Sequence, residues 1–271
     1  MQKIIILGIT GMLGSKMLET FQSTNKYKVY FTSRNKKNFN QSNHIHFDVL
    51  NQNINFDFFK DADYIINCIG VTKPFIDKNI VDSIYINSIF SHKLSDFCEK
   101  NKIKFIHITT DCVFSGNEGE YQEDCLHDCI DIYGKSKSLG EPDNCMVIRT
   151  SIIGIEKTNF VHLLSWVISQ KGKSVNGFLN HLWNGVTTNY LSNIVEDIIS
   201  RDLYEQKLFH VHSPKDITKY ELLKIINNKF NLKLNINPIN ASLKINRTLR
   251  SKNKLTSQLC TLNINEQINN L

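Results

Sequence analysis

Tyr133-Gly134-Lys135-Ser136-Lys137 sets a phenol and an amine four residues apart, a spacing that puts both on one face if the segment is helical. A phenol ordinarily titrates near about pH 10. An adjacent ammonium stabilises the phenolate and lets the pair exchange a proton closer to neutrality. Thr110 stands just upstream, at the end of the apolar run in Ile108-Thr109-Thr110-Asp111-Cys112-Val113-Phe114. Its hydroxyl could bond a substrate carbonyl beside Tyr133; the local alternatives are a strand-end cap for Thr110 and a turn acid for Asp111. Tyr220 and Lys224 repeat the tyrosine–lysine spacing. They come late in the chain and are expected to be an ordinary helix face. The trio Thr110, Tyr133 and Lys137 predicts proton transfer to or from an oxygen at carbon.

A second pattern, Gly8-Ile9-Thr10-Gly11-Met12-Leu13-Gly14, opens the chain. It sits between the apolar run Lys3–Leu7 and an amphipathic stretch. Glycine there permits a tight strand-to-helix turn and close approach of a pyrophosphate to the backbone, including Thr10, Met12 and Leu13. The N–H groups and dipole of the following helix then attract the anion. The second apolar run ends Thr32-Ser33-Arg34, where an acid would be expected to hold an NAD ribose. Arg34 could instead pair with a 2′-phosphate, and Lys36 and Lys37 add to the charge. The expected cofactor is therefore NADPH, with NADH as the alternative. Asp48 and Val49, read as the end of the third strand, are expected to border the adenine.

These residues need a scaffold that delivers them to one edge. Apolar runs at Lys3–Leu7, Tyr27–Ser33, His44–Val49, Tyr64–Cys68, Ile103–Thr109 and Cys145–Thr150 alternate with helical stretches at Met12–Phe21, Ile80–Lys100 and from about Tyr133. Continuous apolar strands alternating with helices predict an α/β Rossmann fold, a doubly wound parallel sheet with ligands beyond its carboxyl ends. After Thr150 the pattern loosens into helices at Asn159–Gln170, Asn189–Ser200 and Lys219–Phe230, with short strand-like pieces between. The expectation is a cofactor domain over 1–155, completed by about 186–213, and a smaller discontinuous substrate domain over 156–185 and 214–271.

The 271 residues are 41% hydrophobic and 21% charged, with a net charge of +6 spread along the chain. That balance suits an anionic small molecule and does not call for nucleic acid. Seven cysteines without a C-x-x-C pair predict free thiols and no metal. No apolar stretch approaches the length of a membrane span, so a cytoplasmic protein is expected.

Together, Gly8-x-x-Gly11-x-x-Gly14, Asn67-Cys68-Ile69-Gly70, Asn87, Thr109-Thr110-Asp111-x-Val113-Phe114, Tyr133-x-x-x-Lys137 and Arg149-Thr150-Ser151 resemble the ordered landmarks of extended short-chain dehydrogenases. The Thr-Asp-x-Val-Phe form is similar to that of the dTDP-4-dehydrorhamnose reductase group. The resemblance spans about residues 1–215 and is weaker beyond. It implies NADPH or NADH as hydride donor and a nucleotide-linked 4-keto-6-deoxysugar as substrate. Tyr133 would be proton donor and Thr110 would polarise the carbonyl. Lys137 would hold the nicotinamide ribose, and Asn87 would support a proton relay to it. The backbone of Cys68, Ile69 and Gly70 would pass along the cofactor. Val71, Thr72, Asp111, Trp183 with the stretch to Thr188, and Arg247 with Arg250 would meet the sugar nucleotide. A homodimer is compatible with the family.

Two relatives of the resemblance do different chemistry. A 4,6-dehydratase needs a Thr-Asp-Glu run, and Cys112 stands where the glutamate would be. A 4-epimerase uses the same Thr/Tyr/Lys set but consumes no cofactor. A non-catalytic regulatory subunit, as in methionine adenosyltransferase, need not keep Thr110, Tyr133 and Lys137 together.

Overall fold

The computed structural model describes residues 1–34, 42–51 and 55–271. β1 (Lys3–Leu7) is fully buried over its last four residues and sends Ile4 and Ile6 to one face, Ile5 and Leu7 to the other. A strand buried on both faces must be covered twice. α1 (Met12–Ser23) follows, then β2 (Lys28–Ser33), β3 (His44–His46) and β4 (Tyr64–Asn67). The short α2 (Lys73–Ile76) leads into α3 (Ile80–Ile84) and α4 (Phe90–Lys100), joined by a π-helical turn at Tyr85–Ile89. The single helix expected over Ile80–Lys100 is therefore continuous but locally unwound, at Asn87. β5 (Lys104–Thr110), α5 (Ile132–Ser138) and β6 (Met146–Thr150) complete the first half.

β7 (Ile152–Ile153), α6 (Leu163–Ser169), β8 (Ser174–Phe178), β9 (His181–Trp183), β10 (Val186–Thr187) and α7 (Thr188–Ser200) come next. β11 (Leu208–Val211) returns to pair with β6, giving a seven-stranded parallel sheet in the order β11-β6-β5-β4-β1-β2-β3. The order reverses at β1, between β2 and β4, which is the switch point where a doubly wound sheet opens a crevice. α1 and α7 pack on the Ile4/Ile6 face through Leu13, Met17, Phe21, Leu191 and Val195. α4 covers the Ile5/Leu7 face through Phe90, Leu94 and Cys98.

The remaining chain is β12 (Ile217–Thr218), α8 (Lys219–Phe230), β13 (Asn235–Ile239), β14 (Ile245–Asn246), α9 (Lys254–Leu259) and α10 (Ile264–Asn269). Here the sheets are small: β12-β9-β14 and the parallel pair β13-β8. They share a core of Leu164, Val167, Val175, Trp183, Leu222 and Ile226. Two expectations shift. β3 ends at His46, so Asp48 and Val49 lie in the turn beyond it. The helix expected from Asn159 starts at Leu163, because Asn159 and Phe160 both take left-handed φ (69° and 50°) that a helix cannot continue. No helix among the described residues is long and apolar enough to cross a membrane.

Candidate active site

The turn after β1 depends on two glycines. Gly8 has φ +79°, and a Cβ on Gly14 would fall 2.3 Å from the Gly8 carbonyl oxygen. Neither position accepts a side chain without a backbone shift. Gly8 also abuts Cys68 and Ile69, so the turns after β1 and β4 lie side by side. Gly11 and Gly70 are different. A Cβ on Gly11 would meet nothing nearer than 3.4 Å, and one on Gly70 only Asn87 Oδ1 at 3.5 Å and Lys137 Nζ at 3.8 Å. Packing does not require glycine at either. Both are exposed, and their missing side chains leave room at the N-terminus of α1 and beside Lys137, where a channel for a dinucleotide's diphosphate is expected.

Other residues expected along that channel divide. Thr10 is exposed and Met12 half-buried, while the Leu13 side chain is in the core, leaving it only its backbone for a ligand. Ser33 is buried and bonded to His44 Nε2 at 2.9 Å. Arg34 is exposed at the carboxyl end of β2, and its carbonyl lies 3.0 Å from His46 Nε2. Lys36 and Lys37 fall outside the described residues. Asp48 accepts the Leu50 N–H in its own turn, at 3.1 Å, and the Val49 side chain is buried in the core behind it. One Asp48 carboxylate oxygen is thus used within the turn and the Val49 side chain faces inward, leaving the second Asp48 oxygen and the Val49 backbone on the side where the adenine is expected.

The catalytic candidates converge at the carboxyl end of β5. Asp131 caps α5 by accepting the Gly134 N–H at 2.8 Å, which aims Tyr133 and Lys137 along one face. Lys137 is buried, and its Nζ reaches the Ile108 carbonyl oxygen at 3.4 Å. Burial pushes its ammonium down to about 8, with Glu141 and Cys68 acting against that. Burial raises the Tyr133 phenol, aided by Cys112, while the Thr110 hydroxyl beside it works the other way. Without a cofactor's charge beside it, the phenol is therefore held in its protonated form. Thr110 accepts the Cys112 N–H and donates to Asp111 Oδ1, each at 3.2 Å. It caps the turn and flanks the phenol at once. Lys73 Nζ lies 5.8 Å from the Tyr133 ring centre and bonds Asp131 at 2.9 Å.

Asn87, expected to support a proton relay to Lys137, anchors the turn after β4. Its amide accepts the Val71 N–H at 2.8 Å and donates to the Val71 carbonyl and the Ser136 hydroxyl, each at 3.0 Å. No hydrogen bond among the described residues joins it to Lys137. It fastens the turn after β4 to α5, and thereby fixes Gly70 against Lys137. Beneath them Asn67 Nδ2 bonds His107 Nδ1 at 3.1 Å. His107 Nε2 and Thr109 Oγ1 are buried without a hydrogen-bond partner among the described residues.

The expected substrate side is brought to the same opening in part. Val71 and Thr72 are half-buried at its rim. Asp111 is buried, and burial raises its carboxyl against the pull of Arg247 and Lys219. Arg247 Nε donates to the Phe114 carbonyl at 2.9 Å. Trp183 is corrected to a core residue, 5% exposed, with its N–H donated to Ser151 Oγ at 2.8 Å. Arg250 is taken up by Asp216 and Glu120, at 2.6 and 2.8 Å. Lys219, which the sequence patterns do not single out, stands over the Trp183 ring at 4.6 Å. One signal could have found it: a cation at the first position of a helix, the end that disfavours it.

A glycine-cradled crevice at the switch point of a doubly wound sheet, with a Thr/Tyr/Lys set at the next strand end, defines a dinucleotide-binding α/β protein. Residues 1–268 match the family described as "RmlD substrate binding domain", and the chain belongs to that family. It is 24% identical over 251 residues to methionine adenosyltransferase 2 subunit beta of Bos taurus, covering 85% of this chain and 73% of that one. It is 23% identical over 236 residues to the dTDP-4-dehydrorhamnose reductase of Aggregatibacter actinomycetemcomitans, covering 82% and 76%. Among solved structures, the Bacillus anthracis dTDP-4-dehydrorhamnose reductase in complex with NADP superposes with a TM-score of 0.78 at 22% identity, covering 99% of this chain and 98% of that one. That likeness shows the fold.

Proposed function

We propose that this chain is an NADPH-dependent reductase of a nucleotide-linked 4-keto-6-deoxysugar, serving deoxysugar or surface-polysaccharide biosynthesis. One observation carries the reading: Thr110, Tyr133 and Lys137 meet at the end of β5, with Lys137 Nζ beside the position of Gly70. Residues 8–14, Ser33, Arg34 and the 68–70 turn are assigned to NADPH, with NADH as the alternative. The NADP complex of the Bacillus anthracis relative supports that assignment.

NADPH, when bound along residues 8–14 and the 68–70 turn, would supply the hydride for the keto carbon. Tyr133 gives its phenolic proton to the carbonyl oxygen as that oxygen gains charge, and a group held protonated suits that role. Thr110 polarises the same oxygen. Lys137, poised near about 8, holds the ribose and returns a proton toward the phenol. Asn87 is a positioning residue: through Val71 and Ser136 it sets the distance between the Gly70 turn and α5. Residues 156–185 and 214–271 are assigned to the sugar nucleotide.

The test is a panel of nucleotide-linked 4-keto sugars followed by NADPH absorbance. Stoichiometric NADPH loss is expected; turnover without it points to an epimerase. Tyr133→Phe should cut kcat by at least about a hundredfold while the NADPH Kd stays within about twofold. Unchanged turnover overturns the catalytic assignment. Similarity to methionine adenosyltransferase 2 subunit beta over 85% of the chain favours a second reading, a regulatory subunit. NADPH binding without turnover on any member of the panel is what that reading expects.

A further inference from the structure

His107 sets a polar ring on the face of β5 that Phe105 gives to the core. It is 1% exposed, stands in register with Asn67 of β4, and lies 6.1 Å from the Phe105 ring. Its Nε2 makes no hydrogen bond among the described residues. A buried N–H left unpaired costs about 1–3 kcal/mol, a cost that a phenyl ring at the same place would not carry. The hydrogen bond that the ring does make comes from Asn67 Nδ2 to Nδ1, at 3.1 Å. That acceptor is what an imidazole offers here and an apolar ring does not.

The Asn67 amide settles which nitrogen holds the ring's proton. Its oxygen accepts the Ile69 N–H at 3.0 Å, so its NH2 group faces His107. Nδ1 is then the acceptor, and the proton stands on Nε2. A second proton on Nδ1 would set two N–H groups against each other, so geometry holds the ring neutral. Burial acts the same way and keeps the imidazole well below its ordinary range. The charges of Lys137 and His92 add to this, and the Gly140 backbone opposes it.

The two bonds run in series, from His107 to Asn67 and from Asn67 to Ile69. Ile69 N and the Cys68 carbonyl carbon lie 3.2 Å from the place of a Cβ on Gly8, and Lys137 Nζ lies 3.8 Å from the place of one on Gly70. The 68–70 turn is thus set between the phosphate turn and the buried ammonium. Asn87 ties its far end through Val71, and Asn67 ties its near end. An apolar ring at position 107 would leave the Asn67 NH2 group buried without its partner. The amide orientation that serves Ile69 would then be held by one bond instead of two. We propose that His107 is a positioning residue for the cofactor: through Asn67 it sets the 68–70 turn against Gly8 and Lys137. The proposal rests on the NADPH assignment above.

Two measurements on the full chain test this without reference to turnover. In nitrogen-15 NMR, with His107→Asn as the blank that identifies its signal, the His107 ring should be neutral with its proton on Nε2. It should stay so down to about pH 5.5, where an ordinary imidazole is largely charged. A charged ring at that pH, or a proton on Nδ1, overturns the proposal. Fluorescence titration with NADPH is the second. His107→Phe keeps a ring but no acceptor, and should weaken NADPH by about tenfold. His107→Asn brings an amide oxygen to the place of Nδ1. It should bind NADPH within about threefold of wild type, although the space it vacates lowers Tm. A merely structural role predicts affinities that follow Tm across the two variants, and that result overturns the proposal, as does wild-type affinity in His107→Phe. Should His107→Phe not fold, the NMR signal and the affinity of His107→Asn still decide. Because NADPH binding is read directly, a chain that reduces no keto sugar still tests His107, and failure of the His107 inference leaves the reductase reading standing.

Discussion

The two walls of the cleft are built in opposite ways. The near wall is the carboxyl edge of β1, β4 and β5, strands of four to seven residues locked in parallel register. Its side chains are aimed by regular hydrogen bonding and by one helix cap, Asp131. The far wall rests on β9, β12 and β14, which are two or three residues long. There the chain is pinned by side chains: Asn184 exchanges two bonds of 2.9 Å with Leu249, and Arg250 grips Asp216. A sheet edge in fixed register sets where the side chains at its end stand. A side-chain-pinned wall can be rebuilt residue by residue. Chemistry on the first and substrate choice on the second is the division this contrast favours.

The walls are joined at Arg149, and breaking the joint should have the largest effect. Arg149 is 1% exposed on β6, held by two bonds to Glu141 and one each to His127 and His210. His210 in turn contacts the Arg250 carbonyl at 2.8 Å, on the far side. Glu141→Ala leaves a buried guanidinium without its carboxylate. Urea unfolding should show a loss of about 3–5 kcal/mol. A loss under about 1 kcal/mol means that the two histidines alone carry Arg149. Next in size is Gly14→Ala in the near wall. The added methyl, 2.3 Å from the Gly8 oxygen, forces the turn open. Stability should fall by about 1–3 kcal/mol, and NADPH affinity should fall with it. Retained NADPH affinity separates the turn from cofactor binding.

The near wall is legible in the sequence because its information is local. Glycine spacing, apolar runs and a four-residue repeat survive translation into strand, turn and helix. The parallel doubly wound sheet and the Thr110–Tyr133 approach follow from that pattern, whereas the strand order and the Gly70–Lys137 approach are seen only in the structure. The far wall is not legible, because its neighbours are distant in the chain. Lys219 feels the charge of Asp111 from more than a hundred residues along the chain, and no periodicity announces it. Trp183 and Arg250 illustrate the opposite error. Each stands in a suggestive stretch, yet the core and Asp216 claim them. Asn87 stands at the expected place, and its partners Val71 and Ser136, brought to it by the π-helical turn at Tyr85–Ile89, are distant in the chain and not legible in the sequence.

The smallest expected effect tests the outer end of the near wall. Arg34 follows Ser33 at the carboxyl end of β2 and is exposed to solvent. If it pairs with a 2′-phosphate, its contribution exists only for NADPH. Arg34→Ala should then weaken NADPH by about tenfold, the lower range for a charge-assisted bond open to water, and leave NADH within about twofold. The NADPH preference should also shrink as salt rises, since exposed charges are screened over about 10 Å at 0.1 M. Equal losses for both cofactors would remove Arg34 from 2′-phosphate recognition. The near wall would then be a generic dinucleotide edge, and all selectivity would pass to the wall opposite.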